Sequence, residues 1–181
     1  MKSKGFTLYE LIITLAILSI TLAIAIPTFN KQIRQSHTRV AMLTLLNAIE
    51  TCRSTAVFKN SRTTLLATDK KWHKGWVLFI DTDNDGTFDN GETMIHREEA
   101  LKGVSISANS ANATVNSYVS FIGTGEGRKV GKANAGALLM GTIKICPAQA
   151  GEGYSLILSR GGRTRVAKLT VEDCTATHPL N

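Results

Sequence analysis

Histidine is sparse in this chain and nowhere clustered. His37 falls on a predicted helix, His73 follows Trp72, His96 closes a short strand-like run and His178 precedes Pro179. No zinc-ligand spacing occurs among them. The glycines of Gly123-Thr124-Gly125-Glu126-Gly127-Arg128-Lys129 sit between strand-like runs, without the lysine and helix that follow a phosphate-cradling loop. These absences argue against an enzyme and indicate no cofactor. There is no internal repeat. Aromatic residues make up only 6% of the chain and are not interleaved with its C-terminal cations, so base stacking is not indicated as a binding mode. Acidic residues are scarce in one region: residues 128–168 hold a single carboxylate, Glu152.

Against that single acid stand eight basic groups: Arg128, Lys129, Lys132, Lys144, Arg160, Arg163, Arg165 and Lys168. Residues 69–99 show the opposite balance, with eight carboxylates against four lysines and arginines. The whole chain, 181 residues with a formal charge of +7, favours acidic partners such as nucleic acid, anionic lipid or acidic protein. A hydrophobic share of 43% suffices for one domain with a core plus one extra element.

The extra element is at the N-terminus. Phe6 to Ile26 is a 21-residue apolar run with one charge, Glu10. At about 1.5 Å per residue a helix of this length crosses a hydrocarbon layer of about 30 Å. A cleavable secretory signal has a shorter apolar region followed by small residues; here Pro27, Phe29 and Asn30 follow. Lys2 and Lys4 place the short leader in the cytoplasm and the rest of the chain outside. In an oxidising space Cys146 and Cys174, both in strand-like stretches, are the favoured disulfide, and Cys52 on the predicted helix is left over. Two reduced, buried cysteines are the alternative.

Ile33, Val40, Leu43, Leu46, Ala48 and Ile49 recur at helical spacing, so the helix is expected to continue to Phe58 or Lys59 and to pack this face on a globular domain. From Trp72 onward the runs Gly75–Ile80, Thr93–His96, Val104–Ser107, Ser117–Ile122, Ala137–Cys146, Tyr154–Arg160 and Arg163–Val171 read as strands between Gly- and Asn-rich turns. The expected fold is α+β: a long N-terminal helix packed on an antiparallel sheet.

The stretch KGFTLYELIITLAILSITLAIAIP resembles the class III signal of type IV pilins and type II secretion pseudopilins: a basic leader ending in Gly5, then Phe6, Glu10 at the fifth position after it, an apolar helix and Pro27. The resemblance implies cleavage between Gly5 and Phe6 by prepilin peptidase and N-methylation of Phe6. It divides the chain into a leader 1–5, a membrane and filament-core helix 6–27, an amphipathic half 28–59 and a globular β domain 60–181. It also implies anchorage in the inner membrane with the domain in the periplasm, then assembly with other pilins into a filament at the cell surface. Within such a filament Glu10 is expected to neutralise a neighbour's N-terminal amine; a carboxylate in a membrane span is costly and usually functional. Snorkelling of Glu10 to the interface is the alternative. Pro27 removes a ladder hydrogen bond and is expected to kink the helix or let it melt in the filament.

Gly75–Ile95, Ile145-Cys146 and Gly162–Val166 followed by Cys174 are similar to the FimT/GspH branch of minor pilins. Some members serve secretion pseudopili; others belong to type IV pili and bind DNA during natural transformation through a C-terminal Gly-Arg-x-Arg motif, which Gly162-Arg163-Thr164-Arg165 fits. Physically, Gly161-Gly162 between alternating runs reads as a two-residue hairpin, with Arg160 opposite Arg163 and Leu158 opposite Arg165. That register groups Arg160, Arg163 and Arg165 at the tip, on the face of Leu156, Leu158, Ala167 and Leu169, and puts Lys168 on the other face. Like charges in opposition repel, and DNA phosphates relieve them, since arginine binds phosphate bidentately. Arg128, Lys129 and Lys132 are expected to add to the surface. The alternatives are arginines paired with Asp81–Asp89 or with a neighbouring pilin, in a purely structural subunit.

Asp81, Asp83, Asp85, Gly86 and Glu92 match the calcium-loop pattern in full, with Asp89 in the ninth place. The flanks read as strands rather than the helices of an EF-hand, and the same residues are ordinary turn formers. The family resemblance accounts for the block as a hairpin without metal.

Overall fold

Thr7 opens the first helix. Its hydroxyl accepts the Glu10 N–H at 3.3 Å, while the Glu10 carboxylate accepts the Thr7 N–H at 3.0 Å and the Thr7 hydroxyl at 2.9 Å. This reciprocal box satisfies donors that a helix start otherwise orphans. Helix α1 then runs Leu8–Lys59 in the computed structural model, which describes residues 7–109, 114–131 and 136–175. The division into two compact units falls inside α1, between Arg34 and Gln35.

In the first unit every residue from Thr7 to Ile26 is exposed, and the mean hydropathy of the most apolar window is 2.4. Among the described residues α1 is the one helix long and apolar enough to span a membrane. Its polar side chains fit that medium. The hydroxyls of Thr14, Ser19 and Thr21 donate back to the carbonyls of Leu11, Leu15 and Leu18 at 2.8–2.9 Å, so none needs water. The helical backbone continues through Pro27.

The second unit begins with the rest of α1. Its buried stripe is Thr38, Ala41, Met42, Leu45, Ala48, Ile49, Cys52 and Ala56. This corrects the expected face in part: Ala48 and Ile49 are buried and Leu46 packs against the core, but Ile33, Val40 and Leu43 are exposed. The pattern misleads at three large apolar residues and passes over part of the packed stripe, which mixes Met42, Leu45 and Ile49 with the small Ala41, Cys52 and Ala56.

Two antiparallel four-stranded sheets receive it. Strand β1, Thr63–Ala67, lies between β2, Trp76–Ile80, and β5, Tyr118–Phe121, with β3, Thr93–Glu98, beyond β2. The second sheet orders β4, Val104–Asn109, then β6, Gly141–Pro147, then β7, Gly153–Leu158, then β8, Thr164–Leu169. Leu45 and Ile49 of α1 meet Leu65, Trp72, Trp76, Phe121, Leu139, Ile145 and Leu156 in one core. Each such side chain contributes about 1.5–3 kcal/mol by leaving water. Trp72 also donates its indole N–H to the Val115 carbonyl at 2.9 Å.

A short helix α2, Val171–Thr175, follows β8. Cys174 stands on it, not on a strand as expected, and is disulfide-bonded to Cys146 at the end of β6 with Cα atoms 5.7 Å apart. Gly153 makes room for the bridge: a Cβ there would lie 2.6 Å from Cys174 Sγ. Cys52 is buried, and its thiol donates to the Thr63 carbonyl at 3.2 Å. Burial, reinforced by Asp81, pushes that thiol well above its ordinary pKa, so it is inert at neutral pH.

Candidate nucleic-acid interface

The β7–β8 hairpin closes on Ser159 rather than on the glycine pair. The Ser159 N–H donates to the Arg163 carbonyl at 2.9 Å, the Ser159 hydroxyl donates to the same carbonyl at 3.0 Å, and the Arg163 N–H donates back to the hydroxyl at 3.2 Å. Gly162 donates to the Ser159 carbonyl at 3.0 Å and takes φ of +77°. The loop is therefore three residues, Arg160-Gly161-Gly162, with the last in the left-handed region. A two-residue turn of type I′ would need positive φ at both glycines, and Gly161 does not have it.

This shifts the expected register by one residue. Leu158 pairs with Thr164, Ile157 with Arg165, Ser155 with Ala167 and Tyr154 with Lys168. Arg165 thus shares a face with Ile157, not with the core residues Leu156 and Leu158, whose face carries Thr164, Val166 and Lys168. Lys168 still lies opposite to Arg165. Arg163 faces Ser159, so the supposed Arg160–Arg163 cross-strand repulsion does not exist. What survives is exposure: Arg160, Arg163, Arg165 and Lys168 are all exposed, and among the described residues none forms an ion pair. The suggested pairing with Asp81–Asp89 is absent.

The tip is docked. Gly162 is buried against the Gly125 carbonyl and the Phe121 ring, and Arg53 of α1 donates its Nε–H to that same carbonyl at 3.0 Å. Arg53 is a half-buried cation at the base of the hairpin that linear reading missed; its nearest sequence neighbours carry no basic cluster to flag it. The Gly-rich segment contributes less than expected. Arg128 is spent on the fold, donating Nη2 to Glu126 at 2.7 Å and Nη1 to the Gly136 carbonyl at 3.1 Å. Lys129 is half-exposed. Lys132, Gly5 and Phe6 lie outside the described residues.

A second cluster lies at the β2–β3 connection. Asp81, Asp83 and Asp85 each bring one carboxylate oxygen within 4.8 Å of the others. Asp81 is buried; the Thr64 hydroxyl donates to its Oδ2 at 2.8 Å and the Asn84 backbone N–H favours its charged form, while Oδ1 has no hydrogen-bond partner. Burial raises this carboxyl above its ordinary value. Arg62, another buried cation the sequence did not flag, donates Nε–H to Asn84 Oδ1 at 2.9 Å and Nη1 to Ser120 Oγ at 2.7 Å; burial lowers its pKa. A cleft of about 570 Å³ reaches Arg62, Asp81, Thr82 and Asn84.

An apolar helix of membrane length, continuing into a helix that packs on an antiparallel β unit, defines the class: a type IV pilin or pseudopilin. Within that class, the family model of the type II transport protein GspH matches residues 41–162, and that of the prokaryotic N-terminal methylation motif matches residues 1–26. The chain belongs to the GspH family of minor pilins and pseudopilins. Its fold is similar to that of the type IV minor pilin FimU of Pseudomonas aeruginosa PAO1, with 18% identity over 74% of this chain and 90% of that one and a TM-score of 0.54. It is also similar to the minor pseudopilin EpsH of the Type 2 Secretion System of Vibrio cholerae, with 10% identity over 72% of this chain and 96% of that one and a TM-score of 0.51. No curated protein matches the chain in sequence. A member of this family is membrane-anchored by its apolar helix and assembles with other pilins into a filament.

Proposed function

We propose that the chain is a minor pilin of a type IV pilus that binds DNA through the β7–β8 hairpin during DNA uptake. It acts without catalysis, after prepilin peptidase has cut between Gly5 and Phe6 and with its globular part on the periplasmic side of the inner membrane. One observation carries the DNA reading: Arg160, Arg163 and Arg165 are exposed on and beside one docked turn with no carboxylate partner among the described residues. Leaving three guanidinium groups unneutralised there suits an external polyanion. Lys129 adds a further cation, Lys168 stands on the opposite face of β8, and Arg53 braces the turn. Aromatic residues are few in the sequence and not interleaved with these cations, so contacts go to phosphates and are independent of sequence.

Binding of arbitrary duplex DNA to the detergent-solubilised chain, followed by gel retardation across a salt series, tests this. Four phosphate contacts give a log–log salt slope of about −3.6. Arg163→Gln with Arg165→Gln should bring it to about −1.8 and weaken binding roughly tenfold or more at low salt. Unchanged affinity in a folded double variant would refute the reading.

A second reading is an assembly subunit of a pilus or secretion pseudopilus that does not touch DNA. The exposed Val40, Leu43, Val57 and Phe58 of α1 favour it, since apolar residues left open on a filament subunit suit a neighbouring subunit. It predicts no retardation at any salt concentration.

A further inference from the structure

We propose that the β2–β3 connection is a calcium-binding loop, with Asp81, Asp83 and Asp85 as its central ligands. Three carboxylates converge within 4.8 Å, and among the described residues no lysine or arginine forms an ion pair with any of them. Convergence of exposed acids alone would mean little. The decisive feature is Asp81: the residue is 1% exposed, yet its Oδ1 has no hydrogen-bond partner. A buried carboxylate oxygen without a donor is costly, and native proteins rarely leave one. A cation in the cluster supplies the missing partner and removes the repulsion in one step.

The donor set selects the ion. The ligand pattern Asp81-x-Asp83-x-Asp85-Gly86, with Glu92 in twelfth place, offers oxygen atoms only, which excludes ions that prefer nitrogen or sulfur. Glu92 is already folded back over the loop: its Oε1 accepts the Thr82 N–H at 2.9 Å and its Oε2 the Asp89 N–H at 3.2 Å. Several carboxylates of unequal reach suit the six to eight flexible ligands of calcium better than the strict octahedron of magnesium. Strands rather than helices flank the loop, so the site is a metal-clipped β connection and not an EF-hand. Asn84 ties it to its surroundings, accepting from Arg62 at Oδ1 and from the Gly131 N–H at its carbonyl. Asp83 and Asp85 are exposed, so an ion reaches the loop directly from solvent.

The test uses the full chain in detergent, freed of metal with a chelator and held at constant ionic strength. Titration with CaCl2 is followed by calorimetry and by the thermal unfolding midpoint. We expect a saturable heat with Kd between about 10 µM and 1 mM. At ten times Kd the midpoint should rise by about 3–6 °C. Asp83→Asn with Asp85→Asn, both exposed positions whose change does not threaten folding, should abolish heat and shift; Asp81→Asn should do the same. Absence of heat and shift in the unmodified chain overturns the site. A shift that persists in the Asp83→Asn, Asp85→Asn variant overturns it too, because the ion then binds elsewhere. An equal response to MgCl2 overturns the calcium assignment.

Discussion

Gly162 is held by two constraints at once. Its φ of +77° is a region that costs an L-residue about 1–2 kcal/mol, and a Cβ there would collide with the Gly125 carbonyl oxygen and press on Phe121 and Arg53. Gly161, one residue earlier, has neither constraint: its φ is not positive and nothing lies within 4 Å of where a Cβ would stand. The two glycines look equivalent in sequence and are opposites in the fold. Gly162→Ala should therefore destabilise the chain by about 2 kcal/mol or more and loosen the arginine-bearing turn, lowering DNA affinity with it. Gly161→Ala should stay within about 0.5 kcal/mol of the parent in both thermal midpoint and binding. Equal effects of the two substitutions would show that the tip is not docked through Gly162.

At the level of elements, the covalent tie between β6 and α2 makes the next prediction. Cys146 and Cys174 are 28 residues apart, and the enclosed segment holds β7, β8 and their hairpin. Closing a loop of that length restricts the unfolded chain by about 3–4 kcal/mol. Cys146→Ser with Cys174→Ser should lower the thermal midpoint by about 10 °C, and reductant should do the same to the parent chain. The hairpin should lose DNA affinity only as far as it unfolds. This tie was legible in the sequence, because of the three cysteines Cys146 and Cys174 stood in strand-like stretches while Cys52 fell on the predicted helix. The alternating strands were legible too. The first strand, Thr63–Ala67, was not: it is central, it is buried on both faces, and TTLLA shows no alternation. The packed face of α1 was legible only in part: Ala48 and Ile49 stand out in the spacing, but the exposed Ile33, Val40 and Leu43 stand out with them, and the small Ala41, Cys52 and Ala56 of the buried stripe do not. The hairpin register was missed because Ser159, not Gly-Gly, closes the loop, and a serine hydroxyl bridging two backbone groups leaves no periodic signal. The basic residues at the tip were legible as a cluster; the half-buried Arg53 that braces the tip and the buried Arg62 beside Asn84 and Ser120 were not, since only the fold brings them there.

At the scale of the molecule, two kinds of surface are set apart within the globular unit. The basic side chains stand on the hairpin and lack carboxylate partners among the described residues. On α1, Val40, Leu43 and Phe58 occupy the side of the helix away from the buried stripe, with exposures of 56%, 42% and 83%. A helical period puts Val40 and Phe58 on nearly one line, with Leu43 beside it. An apolar line left open on a filament-forming protein gains most by meeting another subunit, whereas the arginines gain most from an anion. The two activities should then separate by mutation. Val40→Lys with Leu43→Lys, both at exposed positions, should change the thermal midpoint little and leave DNA retardation intact or slightly stronger, but should cut the fraction of the protein recovered in sheared filaments several-fold. Arg163→Gln with Arg165→Gln should do the reverse, sparing incorporation while weakening DNA binding. If the lysine pair incorporates normally and the glutamine pair does not, the hairpin arginines face a neighbouring pilin. The purely structural reading would then replace the DNA-binding one.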